Sequence, residues 1–197
     1  MTEHDRLLKL LATRSVRRGN FTLASGRQST LYIDARLTTM SPEGLSVIGP
    51  LGVTALAGSG WDVQAVGGLT LGADPVSYAI SYASAAGPRQ LRAFTVRKQA
   101  KEHGTAKLIE GPFQSGDRVA IIEDVITTGG SALKAAHAVR EAGGVVAGVL
   151  ALVDREEGGR EAIETTGIPV LVLARASEIL THLPPDSEPA EPPRQSA

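Results

Sequence analysis

The stretch that most constrains the fold of this chain runs from Arg118 to Ser131 and reads RVAIIEDVITTGGS. It opens with a continuous apolar run, which is typical of a strand buried on both faces of a parallel sheet. Two carboxylates, Glu123 and Asp124, follow this run, and a loop of small and hydroxylated residues then leads directly into a helix. Open α/β sheets bind ligands at this place, outside the carboxyl ends of the strands. The stretch therefore predicts both a parallel sheet and a ligand site at its edge.

Strand and helix patterns alternate along the rest of the chain. We predict helices over residues 5–13, 41–57, 74–87, 131–142 and 159–165, and strands over residues 63–67, 91–96, 118–122, 145–153 and 169–173. Ser41-Pro42 and Asp74-Pro75 each indicate an N-cap followed by proline in the first turn of a helix. Residues 20–37 indicate a hairpin or flap over the main domain. This order predicts an α/β fold, a Rossmann-like, doubly wound and mostly parallel sheet with a small N-terminal hood.

The length of 197 residues fits one domain with a sizeable core. We expect a single domain over residues 1–183, with the hood in about residues 1–40 and the core sheet in about residues 60–175. The segment 184–197 (PPDSEPAEPPRQSA) is rich in proline and polar residues, and we expect it to be disordered.

Charge and composition exclude several function classes. The chain carries 20 Lys+Arg against 21 Asp+Glu, whereas bulk nucleic-acid or acidic-membrane binders usually have a strong basic excess. We therefore expect neither nucleic acid nor membrane as a partner. The absence of cysteine excludes a thiol nucleophile, a Cys-based zinc site and a disulfide scaffold. Residues 1–13 do not resemble a signal peptide, and no stretch reaches about 18 apolar residues, so we expect a cytoplasmic protein.

The loop after the two acids has the composition of a phosphate site. Residues 127–131 (TTGGS) can direct several backbone N–H groups into one concavity, and the following helix adds the positive end of its dipole. The acids would repel a phosphate and suit ribose hydroxyls or a metal-bound water, so together the stretch describes a site for ribose 5-phosphate. A structural alternative stays open for the loop alone, in which Asp124 ends a strand and Ser131 caps a helix.

Positive charge is concentrated in a second stretch, residues 97–111, which reads RKQAKEHGTAKLIEG. Cations on a closing loop can stabilise a leaving group that gains negative charge while they exclude water. A solvated basic loop is the alternative for this stretch taken alone. For Arg155, the alternative is a surface residue in the charged turn 154–160.

Several ordered motifs resemble one enzyme family. The pattern of two acids followed by V-I-T-T-G-G-S is similar to the phosphoribosyl pyrophosphate (PRPP) motif of type I phosphoribosyltransferases, and residues 97–111 resemble the R-K-x-x-K-x-H-G loop of orotate phosphoribosyltransferases. The flap FTLASGRQSTLYID, the segment 67–72 and the segment VDRE at 153–156 resemble the family's hood, pyrophosphate loop and base-binding segment. The resemblance covers about residues 5–180.

The resemblance implies an enzyme that transfers ribose 5-phosphate from PRPP to N1 of orotate, in pyrimidine and UMP biosynthesis. It implies PRPP binding by Arg97, Lys98, Lys101, His103, Glu123, Asp124, Val125, Ile126, Thr127, Thr128, Gly129, Gly130 and Ser131. Lys101 and Asp124 are expected to be catalytic, and Thr127 and Arg155 are expected to bind orotate. It also implies Mg²⁺ as cofactor, held mainly by PRPP and water and not by metal-ligating side chains, and a homodimer in which each subunit's lid loop enters the partner's site.

Some positions depart from the pattern of the resembled family. Ala24 and Leu71 stand where many bacterial relatives have lysine, Glu123 stands where aspartate is also common, and Leu31-Tyr32 stands where some relatives have two aromatic residues. Two alternatives are a purine phosphoribosyltransferase and a PRPP-sensing regulator without catalysis. The basic loop and Arg155 favour orotate over a purine. The segment 1–18 is too short to form the winged helix that a DNA-binding regulator would add.

Overall fold

The computed structural model describes residues 1–22, 28–99 and 107–183. The helices are α1 Glu3–Leu10, α2 Arg36–Thr39, α3 Pro42–Gly58, α4 Ala73–Ser84, α5 Gly130–Glu141, α6 Gly159–Glu164 and α7 Ala176–Leu180, and a π-helical turn, Leu11–Ser15, extends α1. The strands are β1 Val16–Thr22, β2 Gln28–Ile33, β3 Ala65–Leu69, β4 Arg92–Val96, β5 Ile109–Glu110, β6 Arg118–Ile126, β7 Val145–Asp154 and β8 Val170–Arg175. In these ranges, no helix combines the length and apolar character needed to cross a membrane.

The predicted doubly wound α/β sheet is confirmed. Within the described residues, six strands form one sheet in the order β5-β4-β3-β6-β7-β8, in which the short β5 pairs antiparallel with β4 and the other neighbours are parallel. The chain runs outward from β3 to β4 and then returns to the other side of β3 to form β6. This reversal makes the gap between β3 and β6 the topological switch point, where such sheets bind ligands.

The core has two apolar clusters, and β6 contributes alternate residues to each of them. Ala120 and Ile122 belong to the cluster that includes residues of α1, α3, α4 and α7, while Val119 and Ile121 belong to the cluster that includes residues of α5 and α6. All four side chains are fully buried. The period-2 alternation of a strand therefore explains why the four consecutive residues 119–122 are all apolar.

The observed elements differ from the predicted ones mainly at their ends. The Ser41 N-cap is confirmed, since its side chain accepts from the N–H of Gly44 at 3.1 Å. The Asp74 N-cap is wrong: α4 begins at Ala73 with Gly72 as N-cap. Asp74 instead lies inside the first turn and is buried. The sequence patterns also missed α2, β5 and α7, which are too short to show a period of their own.

The predicted flap is a two-stranded antiparallel hairpin, β1 with β2. The rings of Phe21 and Tyr32 pack across it with their centroids 5.4 Å apart. The N–H of Asp34 donates to the carbonyl of Ser15 at 2.9 Å and closes the base of the hairpin. Ala24 lies outside the described residues, as does the predicted disordered segment 184–197.

Candidate active site

The candidate site lies at the carboxyl ends of three adjacent strands, β3, β6 and β7. Because these strands are parallel, the segments that follow them meet at one edge of the sheet. The segment 69–72 starts at the last residue of β3, the loop 127–129 follows β6, and the turn 155–158 follows β7. The sheet therefore brings together the three core segments that the sequence patterns singled out.

A small open cleft of about 190 Å³ lies against the loop after β6. It is lined by Glu123 and residues 125–131. Gly129 is the N-cap of α5 at φ 80°, and no side chain caps the helix, so the alternative in which Ser131 caps it is wrong. The first N–H groups of a helix have no partner inside it. They can therefore bind an anion in this cleft, helped by the helix dipole.

Gly129 is required at its position for two reasons. Its φ of 80° is a left-handed conformation that residues with a Cβ rarely adopt. A Cβ there would also lie 2.8 Å from the carbonyl oxygen of Gly159 and 2.9 Å from the Ile163 side chain. Helix α6 therefore packs directly beneath the loop and fixes its path.

The acid pair is the main electrostatic feature of the site. Glu123 is 8% exposed, and its Oε2 has no hydrogen-bond partner in the described part of the chain. Burial, followed by the charge of Asp124, raises the pKa of Glu123 to about 8. Burial also raises the pKa of Asp124, although the N–H of Val125 donates to its Oδ1 at 2.9 Å and opposes the rise. Near neutral pH, Glu123 is therefore mostly protonated, and the pair carries less than its full charge.

The segment 69–72 lies directly against Asp124 of this pair. A Cβ at Gly72 would overlap the carboxylate of Asp124, so glycine at this position lets the backbone of the segment approach that side chain closely. The Thr70–Leu71 peptide is cis. Leu71 is 53% exposed. The position where many relatives have lysine thus holds an exposed apolar side chain next to the site.

Arg155 is not the surface residue of the alternative interpretation. Its N–H donates to the carbonyl of Ile126 at 3.1 Å, which places it beside the end of β6. Its guanidinium side chain is 7% exposed and forms an ion pair with Glu157 at 2.6 Å. The ion pair holds the planar guanidinium next to the ends of β6 and β7.

The basic stretch is described only at its two ends. The N–H of Arg97 donates to the carbonyl of Leu108 at 2.8 Å, and the Arg97 guanidinium lies 3.5 Å from Glu110. Lys134 of α5 donates to the carbonyl of Lys98 at 2.8 Å. Helix α5 and the β4–β5 pair therefore hold the base of this stretch at the site's edge. Lys101 and His103 lie outside the described residues.

Sequence reasoning missed one charged pair near the site, Asp34 with Arg36. The Arg36 guanidinium donates to both carboxylate oxygens of Asp34, at 2.8 and 2.9 Å, and these hydrogen bonds lower the pKa of Asp34. The Arg36 charge also acts on Asp124 and partly opposes the rise in its pKa. The sequence shows both residues, but only the docking of the hood brings their charge toward β6.

The side chains at the site include oxygen donors that could accompany a substrate-bound Mg²⁺. Within residues 1–22, 28–99 and 107–183, no group of three or more His, Cys, Asp or Glu side chains could hold a metal ion. The acid pair, Glu123 and Asp124, offers carboxyl oxygens beside the cleft, and oxygen is the donor that a hard cation such as Mg²⁺ prefers. These donors fit a cation that is held mainly by substrate oxygens and water.

Comparisons with known proteins agree with this geometry. The orotate phosphoribosyltransferase of Aquifex aeolicus is 46% identical over 183 residues, which cover 91% of this chain and 99% of that protein. The orotate phosphoribosyltransferase of Mycobacterium tuberculosis (strain ATCC 25177 / H37Ra) is 48% identical over 162 residues, covering 82% and 88%. No family model matches the chain.

The chain belongs to the orotate phosphoribosyltransferase family. A solved structure agrees: the crystal structure of Mycobacterium tuberculosis H37Rv orotate phosphoribosyltransferase in complex with PRPP superposes with a TM-score of 0.75 at 40% identity, covering 90% of this chain and 99% of that one. The type I phosphoribosyltransferase fold expected from the sequence is thereby confirmed. The roles of individual site residues are not tested by these comparisons and remain predictions.

Proposed function

We propose that this protein is an orotate phosphoribosyltransferase, which transfers the ribose 5-phosphate of PRPP to N1 of orotate and releases pyrophosphate and orotidine 5′-monophosphate. The observation that carries the proposal is the cleft at the switch point, where a buried acid pair adjoins an anion cradle at the start of α5. Family membership supports the choice of substrates. The product is the first nucleotide of pyrimidine synthesis, so the enzyme serves UMP biosynthesis.

The PRPP ribose 5-phosphate is held by residues 123–131. The N–H groups of Thr128, Gly129, Gly130 and Ser131 bind the 5′-phosphate at the positive end of α5. Glu123 and Asp124 accept hydrogen bonds from the ribose hydroxyls. Because Glu123 is mostly protonated near neutral pH, the pair repels the 5′-phosphate and the pyrophosphate of the substrate less than two ionised acids would.

Orotate is held beside the ribose C1 by Arg155 and Thr127. The guanidinium of Arg155 pairs with the orotate carboxylate. The same guanidinium forms an ion pair with Glu157. Thr127 is half-buried at the end of β6 and supplies a second contact. These contacts aim N1 of orotate at C1, so the reaction gains from positioning without a covalent intermediate.

Pyrophosphate leaves from the opposite side, where its charge grows as the C1–O bond breaks. Arg97, Lys98, Lys101 and His103 stabilise that charge, and the backbone of segment 69–72 contacts the same group. Mg²⁺, bound through PRPP oxygens and water beside Asp124, would neutralise part of the phosphate charge.

A base panel tests the reaction. Purified protein is supplied with PRPP and Mg²⁺ and with orotate, uracil, adenine or hypoxanthine, and pyrophosphate release is measured. Turnover with orotate alone is expected. Turnover with adenine or hypoxanthine would instead indicate a purine enzyme, and PRPP binding without turnover of any base would indicate a regulator.

A second experiment tests the catalytic role of Lys101. Lys101→Ala is expected to lower kcat strongly while the affinity for orotate changes little, because the lysine acts on charge that develops only in the transition state. Lys9→Ala, on the exposed end of α1, is the matched control. Equal losses of kcat and orotate affinity in Lys101→Ala would contradict the catalytic role.

The enzyme is further proposed to be a homodimer with shared lids. Tyr78 and Tyr82 of α4 are 52% and 86% exposed, and Leu71, which precedes α4, is 53% exposed. Such exposed apolar side chains near one helix favour association with a second copy. Mixing Lys101→Ala with Asp124→Asn subunits and refolding them together tests lid sharing. If the lid serves the partner's site, one site per mixed dimer is intact and activity returns; if it serves its own site, none returns.

We also propose that residues 1–183 act as one domain with a disordered tail, and that the protein is cytoplasmic. Limited proteolysis tests the first, since cleavage is expected to remove the segment 184–197 and to leave residues 1–183 intact and active. Cell fractionation tests the second.

A further inference from the structure

A hydrogen-bonded network of side chains connects Thr70 of segment 69–72 with α4 and β4, and the machinery described above uses none of these side chains. Asp74, in the first turn of α4, is 8% exposed. Its Oδ2 accepts from the hydroxyl of Thr70 at 2.7 Å, and its Oδ1 accepts from the hydroxyl of Thr95 at 2.8 Å. The hydroxyl of Tyr78 lies 2.8 Å from the same Thr95 oxygen. Both carboxylate oxygens of Asp74 are therefore used.

The chemistry of the groups sets the direction of each hydrogen bond. An ionised carboxylate can only accept, so both threonine hydroxyls give their single proton to Asp74. The Thr95 oxygen can then only accept from Tyr78, whose hydroxyl must donate. The result is an ordered chain from the exposed face of α4, through β4, to Asp74 and Thr70.

This hydrogen-bonded network fixes the position of segment 69–72, which lies against Asp124. Thr70 is held at its hydroxyl by Asp74 and at its N–H by the carbonyl of Val96, at 2.8 Å. Two residues later, Gly72 lies in contact with the carboxylate of Asp124. A shift of Thr70 would therefore move the backbone N–H groups of residues 70–72 relative to Asp124.

A buried negative charge beneath this segment does not help to bind an anion directly. Coulomb repulsion between Asp74 and a pyrophosphate would weaken binding. What Asp74 supplies is geometry, since hydrogen bonds to a charged group are stronger and more directional than those between neutral groups.

We propose that Asp74 is a positioning residue that, through Thr70, holds segment 69–72 in the geometry that receives the pyrophosphate group of PRPP. The inference rests on the proposed function, because it takes PRPP as the substrate. It adds to that function a residue that touches neither substrate. It also assigns Thr95 and Tyr78 as the groups that hold Asp74 in place.

Steady-state kinetics with both substrates varied test the proposal. Thr70→Val keeps the β-branched shape and removes the hydroxyl, and it is expected to raise KM for PRPP about tenfold, the effect of losing one hydrogen bond to a charged group. KM for orotate is expected to stay within about twofold. Thr70→Ser keeps the hydroxyl and is expected to restore the wild-type KM for PRPP. Thr95→Val is expected to raise the same KM by a smaller factor.

Thr54→Val, on the exposed side of α3, is the matched control, since its hydroxyl bonds only within its own helix. Unfolding temperatures of all variants show whether each one is folded. Unchanged KM for PRPP in folded Thr70→Val and Thr95→Val would overturn the proposal. So would equal changes in both KM values, or a failure of Thr70→Ser to restore binding. An inactive wild-type protein would instead refute the proposed function, so the two failures are distinguishable.

Discussion

Replacing Glu123 by glutamine is expected to stabilise the protein without substrate. Burial and the Asp124 charge raise the pKa of Glu123 from its ordinary 4.5 to about 8. The folded protein therefore holds a proton on Glu123 that the unfolded chain releases between these values, and its stability falls as the pH rises from 4.5 to 8. Each pH unit in this interval corresponds to about 1.4 kcal/mol. At pH 7, the titration of Glu123 lowers the free energy of unfolding of the wild type by about 3 kcal/mol relative to its value below pH 4.5. Glutamine does not titrate, so Glu123→Gln avoids this loss.

Urea unfolding at several pH values between about 5 and 8.5 measures this effect. The difference in the free energy of unfolding between variant and wild type is the quantity to compare, because other titrating groups cancel in it. The difference is expected to grow in favour of Glu123→Gln as the pH rises and to level off above about pH 8. Glu141→Gln, at the exposed end of α5, is the control and is expected to show no such trend.

A difference that is independent of pH would refute the reasoning, since it would mean that Glu123 ionises as readily in the folded protein as in the unfolded chain. A variant less stable than the wild type at every pH would also contradict it. In that case, the glutamine amide would be leaving a buried polar group without a partner.

Three further predictions concern other parts of the site. Gly129→Ala forces a Cβ into the left-handed region and against Gly159, and it is expected to lower the free energy of unfolding by about 1–3 kcal/mol, as measured in urea. Arg155→Gln is expected to raise KM for orotate at least about tenfold while KM for PRPP changes little, because it removes one charge-assisted pair. Asp34→Asn removes a carboxylate whose pKa is lowered by the Arg36 hydrogen bonds. These bonds stabilise the folded wild type above pH 3.8, and the wild type is expected to lose their contribution to the free energy of unfolding as the pH falls below 3.8. The unfolding temperatures of wild type and variant are therefore expected to converge in acid.

The sheet and the phosphate cradle were predictable because they depend on local patterns. The apolar run Val119–Ile122 is possible only for a strand covered on both sides, and the structure buries all four of its residues. The loop that follows contains its own conformational signal, because Gly129 adopts a positive φ at the start of a helix. The N-cap role of Asp74 was predicted wrongly because the prediction used only the local Asp-Pro signal. The hydrogen-bond partners of Asp74, Thr70 and Thr95, lie outside its helix.

Residue types and their order are enough to predict which chemical groups the site contains: the acid pair, the glycine-rich loop, Arg155 and the basic stretch. The environment of these groups depends on how the chain folds. The pKa of Glu123 depends on burial by elements distant in the chain, and the contact between Gly72 and Asp124 exists because β3 and β6 are neighbours in the sheet. Solvation and charge interactions depend on distance in space, so a linear pattern predicts the chemical groups but not their energies.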